Sequence, residues 1–347
     1  MPWDEALVNS LVYDAPESHG GRVINYVSAV TEALDYALRE DPRVFLMGQG
    51  VDDPSAMFGT TRGLAERYGP ERVFDTPVSE EGMTGIAAGA AMNGMRPVYM
   101  HNRPDFILLA FNQLVTHASK IHFMDNGQTS VPMVVWAAIG RGWGSGAQHS
   151  QAIQGMLIGV PGIKIVMPST PYDAKGLLLA AIADNNPVLV LEHRWLMKKD
   201  GVVPEEPYLV PIGKAVCRRR GRDLTVVGAS HAIELAERAA AEVSRVGVDV
   251  EVIDLRTIKP LDHEAIIESV RRTGRLLVVD TGWAIGGVCA EVACVVAERA
   301  FDALRAPVRR VGLPDVPTPA GKTLETYYYP DVNRMAAAMT ELAGYGR

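Results

Sequence analysis

Glu80 is the first residue whose position suggests catalysis. It follows a strand-like segment and the turn at residues 76–79, and it precedes a helical segment rich in glycine and alanine. Ligands of parallel α/β sheets bind at the carboxyl ends of the strands, so this position favours a functional carboxylate. An acid in the first turn of a helix also compensates the helix dipole. Position alone leaves both interpretations open.

His149 is the second candidate. It follows the run at residues 140–146, which has four glycines in seven residues. A loop of this composition can approach a ligand closely. Histidine titrates near neutral pH, so His149 could donate or accept a proton. A histidine that caps a helix starting near Ser150 is an equally good interpretation.

Three more candidates follow a predicted strand at 97–100. His101 and Arg103 could attract an anionic or polar ligand, although solvated loop positions are the simpler interpretation. Phe106 on its own fits a core aromatic better than a platform on which a ring stacks. None of the three identifies a ligand by itself.

Composition and motifs exclude several classes of protein. The chain has 347 residues, 48% apolar and 22% charged, as in soluble globular proteins. Its net charge is −7 and its one dense basic stretch is 218–222, unlike a nucleic-acid binder. P-loop, GxSxG and HExxH motifs are absent, and the glycines of 282–287 lack GxGxxG spacing. Three cysteines without zinc-like spacing favour a reducing, cytoplasmic location.

Alternating strand and helix patterns predict an α/β protein with two doubly wound domains and parallel sheets. The predicted organisation is an arm at 1–24, a domain at 25–205, a linker at 206–215 and a domain at 216–347. Strands are predicted at 44–47, 72–75, 97–100, 131–136, 164–167, 187–191, 224–227, 249–254, 276–280 and 308–311. Helices are predicted at 24–38, 81–92, 106–123, 171–183, 231–246, 263–272 and 287–304, with Ser79 as an N-cap. The arm lacks the pattern of a signal peptide, and no apolar run is long enough to span a membrane.

Seven longer segments occur in a fixed order along the chain: 37–44, 76–80, 85–91, 147–151, 184–187, 253–262 and 315–319. Together they resemble the beta chains of thiamine-diphosphate-dependent 2-oxo-acid dehydrogenases. This transketolase-like group includes the pyruvate, branched-chain and acetoin enzymes. The resemblance implies an N-terminal pyrimidine-binding domain and a C-terminal transketolase-like domain.

The resemblance also implies roles for three of the candidates. Glu80 would hydrogen-bond the pyrimidine ring of thiamine diphosphate and promote the imino tautomer that removes the thiazolium proton. Phe106 would pack on the pyrimidine, so Glu80 and Phe106 would bind the cofactor. His149 would stabilise or protonate the charge that develops at the reaction centre. Glu80 and His149 would thus be the catalytic residues.

Partners and ions are implied in the same way. An alpha chain with the GDG…N motif, which this sequence lacks, would hold the magnesium and the diphosphate in an alpha2beta2 heterotetramer. The backbone carbonyls of four residues would bind potassium: Ala181, Ile182, Asp184 and Asn186. The second domain would contact the other beta chain and dock a lipoyl acyltransferase.

Two departures from the family pattern keep the substrate open. Gln49 and Gly50 stand where the family usually has two acids in a region linked to proton relay between active sites. The segment 100–105, with Arg141 and Trp143, makes the predicted pocket more polar. The first hypothesis is decarboxylation of a 2-oxo acid with transfer of the acyl group to a lipoyl domain. One alternative is transfer to a carbonyl or sugar acceptor, which the polar residues His101, Arg103 and Arg141 favour. The other is a non-catalytic subunit, and the presence of Glu80 and His149 argues against that one.

Overall fold

The computed structural model describes residues 22–53, 57–140 and 144–346. The chain divides into an N-terminal unit, residues 1–139 and 160–212, and a C-terminal unit, residues 140–159 and 213–347. The arm predicted up to residue 21, Arg141 and Trp143 lie outside the described residues. His149 belongs to the C-terminal unit by this division, and the linker predicted at 206–215 stays a prediction.

Strands and helices alternate along both units. The strands are β1 (Arg22–Asn25), β2 (Val44–Gly48), β3 (Val73–Asp75), β4 (Arg96–His101), β5 (Val134–Ile139), β6 (Lys164–Val166), β7 (Val188–His193), β8 (Asp200–Val203), β9 (Val216–Arg219), β10 (Leu224–Gly228), β11 (Val250–Asp254), β12 (Thr257–Lys259), β13 (Leu276–Trp283) and β14 (Arg309–Leu313). The α-helices are α1 (Tyr26–Glu40), α2 (Leu64–Tyr68), α3 (Glu80–Met92), α4 (Ser119–Met124), α5 (Gln154–Leu157), α6 (Pro171–Ala183), α7 (His231–Ser244), α8 (His263–Thr273), α9 (Val288–Arg299), α10 (Lys322–Tyr328) and α11 (Val332–Gly344).

Each unit is built on a largely parallel sheet. In the N-terminal unit six strands lie in the order β6-β7-β5-β4-β2-β3, and all neighbours are parallel. In the C-terminal unit the order is β14-β13-β10-β11-β9, and β9 runs antiparallel to β11. The predicted two-domain α/β class is therefore confirmed, but the antiparallel edge strand β9 and the antiparallel pair β1–β8 were not predicted.

Helix α1 shows how the sequence builds the first core. The Asn25 side chain caps it by accepting a hydrogen bond from the Ser28 N–H at 2.8 Å. Its buried residues recur at helical spacing and form one apolar face in the main core of the N-terminal unit. These residues are Tyr26, Ala29, Val30, Ala33, Leu34, Ala37 and Leu38. The helix predicted at 24–38 is thus confirmed, displaced by two residues.

One polar cluster lies inside that apolar core. Glu192, in β7, is fully buried beside the indole of Trp136 and the hydroxyl of Tyr26. Its two carboxyl oxygens, Trp136 Nε1 and Tyr26 Oη have no hydrogen-bond partner of ordinary geometry in the part of the chain that the structure describes. Burial raises the pKa of Glu192 to about 8, against a smaller opposing effect of Trp136 and Tyr26. Glu192 is therefore largely protonated at neutral pH.

Several predicted boundaries are wrong. The strand predicted at 131–136 starts three residues later, at Val134, because Pro132 cannot donate to a ladder and Met133 N–H bonds locally to Val131 O. The helix predicted at 287–304 ends at Arg299 and is followed by a short 3₁₀ turn. Helices α10 and α11 were not predicted. No helix among the residues described is long and apolar enough to cross a membrane.

Candidate active site

Glu80 lies in the first turn of α3, and its side chain is 7% exposed. Its Oε1 accepts a hydrogen bond of 3.2 Å from Gln49 Nε2. Since β2, β3 and β4 are parallel neighbours, the loops after their carboxyl ends meet at one edge of the sheet. Gln49 follows β2, and the loop to Glu80 follows β3. The predicted location of Glu80 at the carboxyl edge agrees with this geometry.

The predicted cap of α3 is only half right. Ser79 occupies the N-cap position, but its side chain makes no capping hydrogen bond to the described backbone of the helix. Its hydroxyl instead lies near Gly82, where an added Cβ would be 3.0 Å from Ser79 Oγ. The helix also begins at Glu80, one residue earlier than predicted. Glu80 is therefore the first residue of the helix, at the end where its dipole favours a negative charge.

Backbone contacts hold the loop after β2 against both neighbouring strands. Gly48 has φ of +149°, and a Cβ added there would lie 2.4 Å from Met100 O in β4. The Gly50 N–H donates to Asp75 Oδ1 at 2.6 Å, and the same oxygen accepts from the Thr76 N–H at 2.9 Å. One carboxylate thus joins the loop with Gln49 to the loop that leads into α3.

Two aromatic rings on β4 lie near the first turns of α3. Tyr99 and His101 point to the same face of the strand, with ring centroids 4.4 Å apart. Burial raises the pKa of Tyr99 to about 12, and the charge of Glu80 adds to the effect. Thr84, one helical turn after Glu80, brings its hydroxyl to 3.4 Å from His101 Nε2. Both rings are therefore uncharged at neutral pH.

The prediction for His101 and Arg103 needs correction. His101 is 3% exposed, and burial lowers its pKa to about 3, so it cannot attract an anion as a cation. Arg103 is 8% exposed. Neither residue is the solvated loop position that the simpler interpretation required. The sequence analysis missed Tyr99 and Thr84. Tyr99 is two residues before His101 on a strand, and Thr84 is four residues after Glu80 on a helix, so each lies on the same face as a candidate residue.

Phe106 lies in a 3₁₀ segment, Pro104–Ala110, and is partly buried. The single helix predicted over 106–123 is wrong. A π-helical segment, Asn112–Ala118, follows the 3₁₀ turns, and α4 begins only at Ser119. Pro104 is the first residue of the 3₁₀ segment, a position at which proline is tolerated. π-Helical turns often occur at functional sites.

His149 lies in the C-terminal unit and is partly buried. Two glycines before it, Gly144 and Gly146, adopt φ of +68° and +64°. At Gly146 a Cβ would come within 3.2 Å of Ala320 Cβ, so this loop packs closely on the backbone of its own unit. The next helix, α5, begins at Gln154 with Ile153 at its N-cap. The interpretation of His149 as a helix cap is therefore wrong.

The turn after α6 contacts a positively charged side chain, that of Arg96. The buried Arg96 guanidinium donates through Nη1 to Ile182 O at 2.8 Å and to Asp184 O at 3.0 Å. Its Nη2 donates to Asn185 Oδ1 at 2.8 Å. The Asp184 carboxylate folds the turn by accepting from the Asn186 N–H at 2.9 Å, and Lys164 pairs with its other oxygen. The backbone carbonyl oxygens of Ile182 and Asp184 therefore both point at the positively charged guanidinium of Arg96.

Side-chain metal ligands do not cluster among the described residues. Within residues 22–53, 57–140 and 144–346, no group of three or more His, Cys, Asp or Glu residues is placed to hold one. Backbone carbonyls are a different donor set, so this result does not bear on the turn at Arg96.

Both units match known domain families. Residues 22–199 match the transketolase pyrimidine binding domain, and residues 213–335 match the transketolase C-terminal domain. A split gene transketolase, solved as an inactive beta4 tetramer, superposes with a TM-score of 0.76 at 22% identity over 93% of this chain and 99% of its own. The transketolase from Leishmania mexicana gives 0.69 at 17% identity, over 96% of this chain and 48% of its own. At these identities the two structures show the fold alone.

Curated relatives are similar over nearly their whole length. The 2-oxoisovalerate dehydrogenase subunit beta of Bacillus subtilis is 41% identical over 93% of this chain and 99% of the relative. The acetoin:2,6-dichlorophenolindophenol oxidoreductase subunit beta of the same organism is 38% identical over 93% and 98%. The mitochondrial pyruvate dehydrogenase E1 component subunit beta-1 of Arabidopsis thaliana is 40% identical over 96% and 92%.

The fold is that of the transketolase-like thiamine-diphosphate enzymes. Within that class, the chain belongs to the family of 2-oxo-acid dehydrogenase beta subunits. The resemblance inferred from its sequence motifs is confirmed. The identities to the three relatives differ by only three percentage points, so identity does not select one of their substrates.

Proposed function

We propose that this chain is the beta subunit of a heteromeric enzyme that decarboxylates a 2-oxo acid and passes the acyl group to a lipoyl domain. The observation that supports this most directly is the buried Glu80 carboxylate at the carboxyl edge of the sheet, oriented by Gln49. Its place at the start of α3 is where the family motif at residues 76–80 puts a functional glutamate. The three curated relatives described above are named as subunits of dehydrogenases or of an oxidoreductase, which favours this activity over transfer to a carbonyl or sugar acceptor.

The cofactor that fits this edge is thiamine diphosphate. Bound there, it supplies an acidic thiazolium carbon that adds to the carbonyl of the 2-oxo acid. Glu80 Oε1 accepts one hydrogen bond from Gln49, and a carboxylate has further acceptor sites for a ring N–H of the aminopyrimidine. Glu80 therefore binds and polarises the pyrimidine, and the partly buried Phe106 packs on its ring.

His149 has the second proposed role. It is partly buried in a loop, and it follows two glycines that pack closely against Ala320 of the C-terminal unit. An imidazole in such a loop can donate a hydrogen bond or a proton to oxygen on which charge develops. Glu80 thus acts on the pyrimidine of the cofactor, and His149 acts on the substrate oxygen.

An alpha subunit completes the enzyme in this proposal. It binds the diphosphate and its magnesium through the GDG…N motif that this sequence lacks. Its association with two beta chains gives an alpha2beta2 assembly, and the lipoyl acyltransferase docks on that assembly. The relatives above are themselves named as beta subunits.

We also propose a potassium ion at the turn after α6, held by carbonyls of Ala181, Ile182, Asp184 and Asn186. A carbonyl oxygen has two lone pairs, so the bonds from Arg96 leave Ile182 O and Asp184 O able to accept a second ligand. We expect potassium chloride to raise the urea midpoint of unfolding above that in choline chloride at equal ionic strength. Equal midpoints at all concentrations would refute this site.

The function is tested with the assembled enzyme. The chain is purified together with an alpha chain that carries the GDG…N motif, and 2-oxo-acid-dependent reduction of an artificial electron acceptor is measured with added thiamine diphosphate. A panel of linear and branched 2-oxo acids identifies the substrate. Turnover with at least one acid is expected, and no turnover with any of them would overturn the proposed activity.

Replacing His149 by alanine separates its role from cofactor binding. We expect the His149→Ala enzyme to bind thiamine diphosphate as the wild type does but to turn over its 2-oxo acid about 10²–10⁴ times more slowly, the usual contribution of general acid–base catalysis. Isothermal titration gives the affinity, and the acceptor assay gives the rate. A loss of affinity with an unchanged maximal rate would contradict this role. His122→Ala, a partly buried histidine in α4, is the control.

A further inference from the structure

Gln49 is the side chain seen to contact Glu80 through a hydrogen bond, Nε2 to Oε1 at 3.2 Å. The two residues are 31 positions apart and belong to different loops, so the pair exists only in the folded chain. Gln49 is partly buried and Glu80 is buried, which reduces the competition from water. A carboxamide N–H that meets a carboxylate in such a place is a charge-assisted hydrogen bond.

The backbone on both sides of Gln49 is fixed. Before it, Gly48 fits against Met100 O, where no other side chain has room. After it, the Gly50 N–H is bound to Asp75 Oδ1. Because Asp75 Oδ1 also holds Thr76, the loop that leads to Glu80 is held by the same carboxylate. The backbone that carries Gln49 is therefore held by contacts that do not involve the Glu80 side chain.

We propose that Gln49 is a positioning residue for Glu80. Its N–H fixes one carboxylate oxygen in direction, which leaves the other acceptor sites to the aminopyrimidine. Glutamine has no proton to gain or lose near neutral pH, so it does this at every pH at which the enzyme works. The role rests on the proposed function of Glu80.

The residue after Glu80, Glu81, also contacts a glutamine side chain and provides a matched control. Gln113 Nε2 donates to Glu81 Oε1 at 3.3 Å, which is the same chemical pair at nearly the same distance, but exposed. Changing either glutamine to glutamate sets two carboxylates against each other. Water screens the exposed pair, whereas in the other pair the buried position 80 and the partly buried position 49 are expected to share a proton.

The first measurement needs no cofactor. Infrared spectra of the chain at neutral pH are compared for wild type, Gln49→Glu and Gln113→Glu. We expect an additional protonated-carboxyl band in Gln49→Glu that is absent from Gln113→Glu. The double variant Gln49→Glu/Glu80→Gln exchanges the two groups, so it should lose the band. Absence of the band from Gln49→Glu would overturn the proposed contact.

The second measurement uses the assembled enzyme. The exchange rate of the thiazolium proton of bound thiamine diphosphate is followed against pH. We expect Gln49→Glu to slow exchange at neutral pH by about ten-fold and to move the pH profile upward by about one unit. Gln49→Ala should slow exchange without moving the profile, and Gln113→Glu should match wild type. A Gln49→Glu profile that superimposes on that of wild type would overturn the positioning role.

The two outcomes are separable from failure of the proposed function. If wild type turns over no 2-oxo acid, the activity is wrong, while the infrared result still decides the contact between Gln49 and Glu80. If wild type is active and Gln49→Glu behaves as wild type in both measurements, only the role of Gln49 is wrong.

Discussion

The Glu80→Gln enzyme is expected to exchange the thiazolium proton of bound thiamine diphosphate about 10²–10⁴ times more slowly than wild type. Glutamine keeps the size and shape of the side chain at the start of α3 but removes its charge. The carboxylate, buried and held by Gln49, is the group proposed to polarise the pyrimidine. Deuterium exchange at the thiazolium carbon, followed by proton NMR after rapid acid quench, measures this step without a substrate.

Glu81→Gln is the control for this substitution. Glu81 is the next residue of α3, it is exposed, and it also contacts a glutamine side chain. Both variants lose one negative charge from the first turn of the same helix, so the effect on the helix dipole is similar. Only Glu80→Gln should change the exchange rate. Unchanged exchange in Glu80→Gln, or equal slowing in both variants, would refute the role assigned to Glu80.

A second large effect is expected in stability rather than in rate. Glu192 has a pKa of about 8 in the folded chain, against an ordinary value of 4.5. Between these values the folded state keeps the proton and the unfolded state loses it, so the free energy of unfolding falls as pH rises. This one group should lower the stability of wild type by roughly 3–4 kcal/mol from pH 5 to pH 8. Glu192→Gln is neutral throughout and should lack this loss.

Urea unfolding of the two proteins at several pH values, at one protein concentration, measures this difference. The curves should be closest at pH 5, and the variant should be the more stable protein at pH 8. Tryptophan fluorescence is a suitable probe because Trp136 is buried beside Glu192. Glu71→Gln, at an exposed position of the same unit, should follow wild type. Parallel pH profiles for wild type and Glu192→Gln would show that the buried carboxyl is not protonated.

Local signals in the sequence predicted much of the fold. Helix α6 begins and ends where it was predicted, at Pro171 and Ala183, because Thr170 caps it and the Asp184 to Pro187 segment cannot continue it. The buried strands were found from short apolar runs between turn residues. The location of Glu80 followed from the order of strand, turn and helix. These features depend on residues close together in the chain.

The parts that could not be predicted depend on contacts between distant residues. The pairing of Gln49 with Glu80 needs the register of β2, β3 and β4, which no single segment encodes. The sequence places His101 after the strand, whereas its burial depends on helix α3, whose Thr84 hydroxyl lies 3.4 Å from the ring. Arg96 at the turn after α6 joins residues more than 80 positions apart. The substrate is likewise set by contacts between distant residues, and three relatives named for different activities are 38–41% identical to this chain.

Gly48 determines how this edge can vary in evolution. A Cβ at Gly48 would lie 2.4 Å from Met100 O, so almost no substitution is tolerated there, whereas the neighbouring Gln49 is only partly buried. Variation is therefore restricted to the position that contacts Glu80, and the backbone that presents it stays unchanged. Related enzymes can acquire a different group beside the glutamate through a single codon change, without refolding the loop. Deep mutational scanning of residues 48–50, read out by the amount of folded protein rather than by activity, would show position 48 as intolerant and position 49 as permissive.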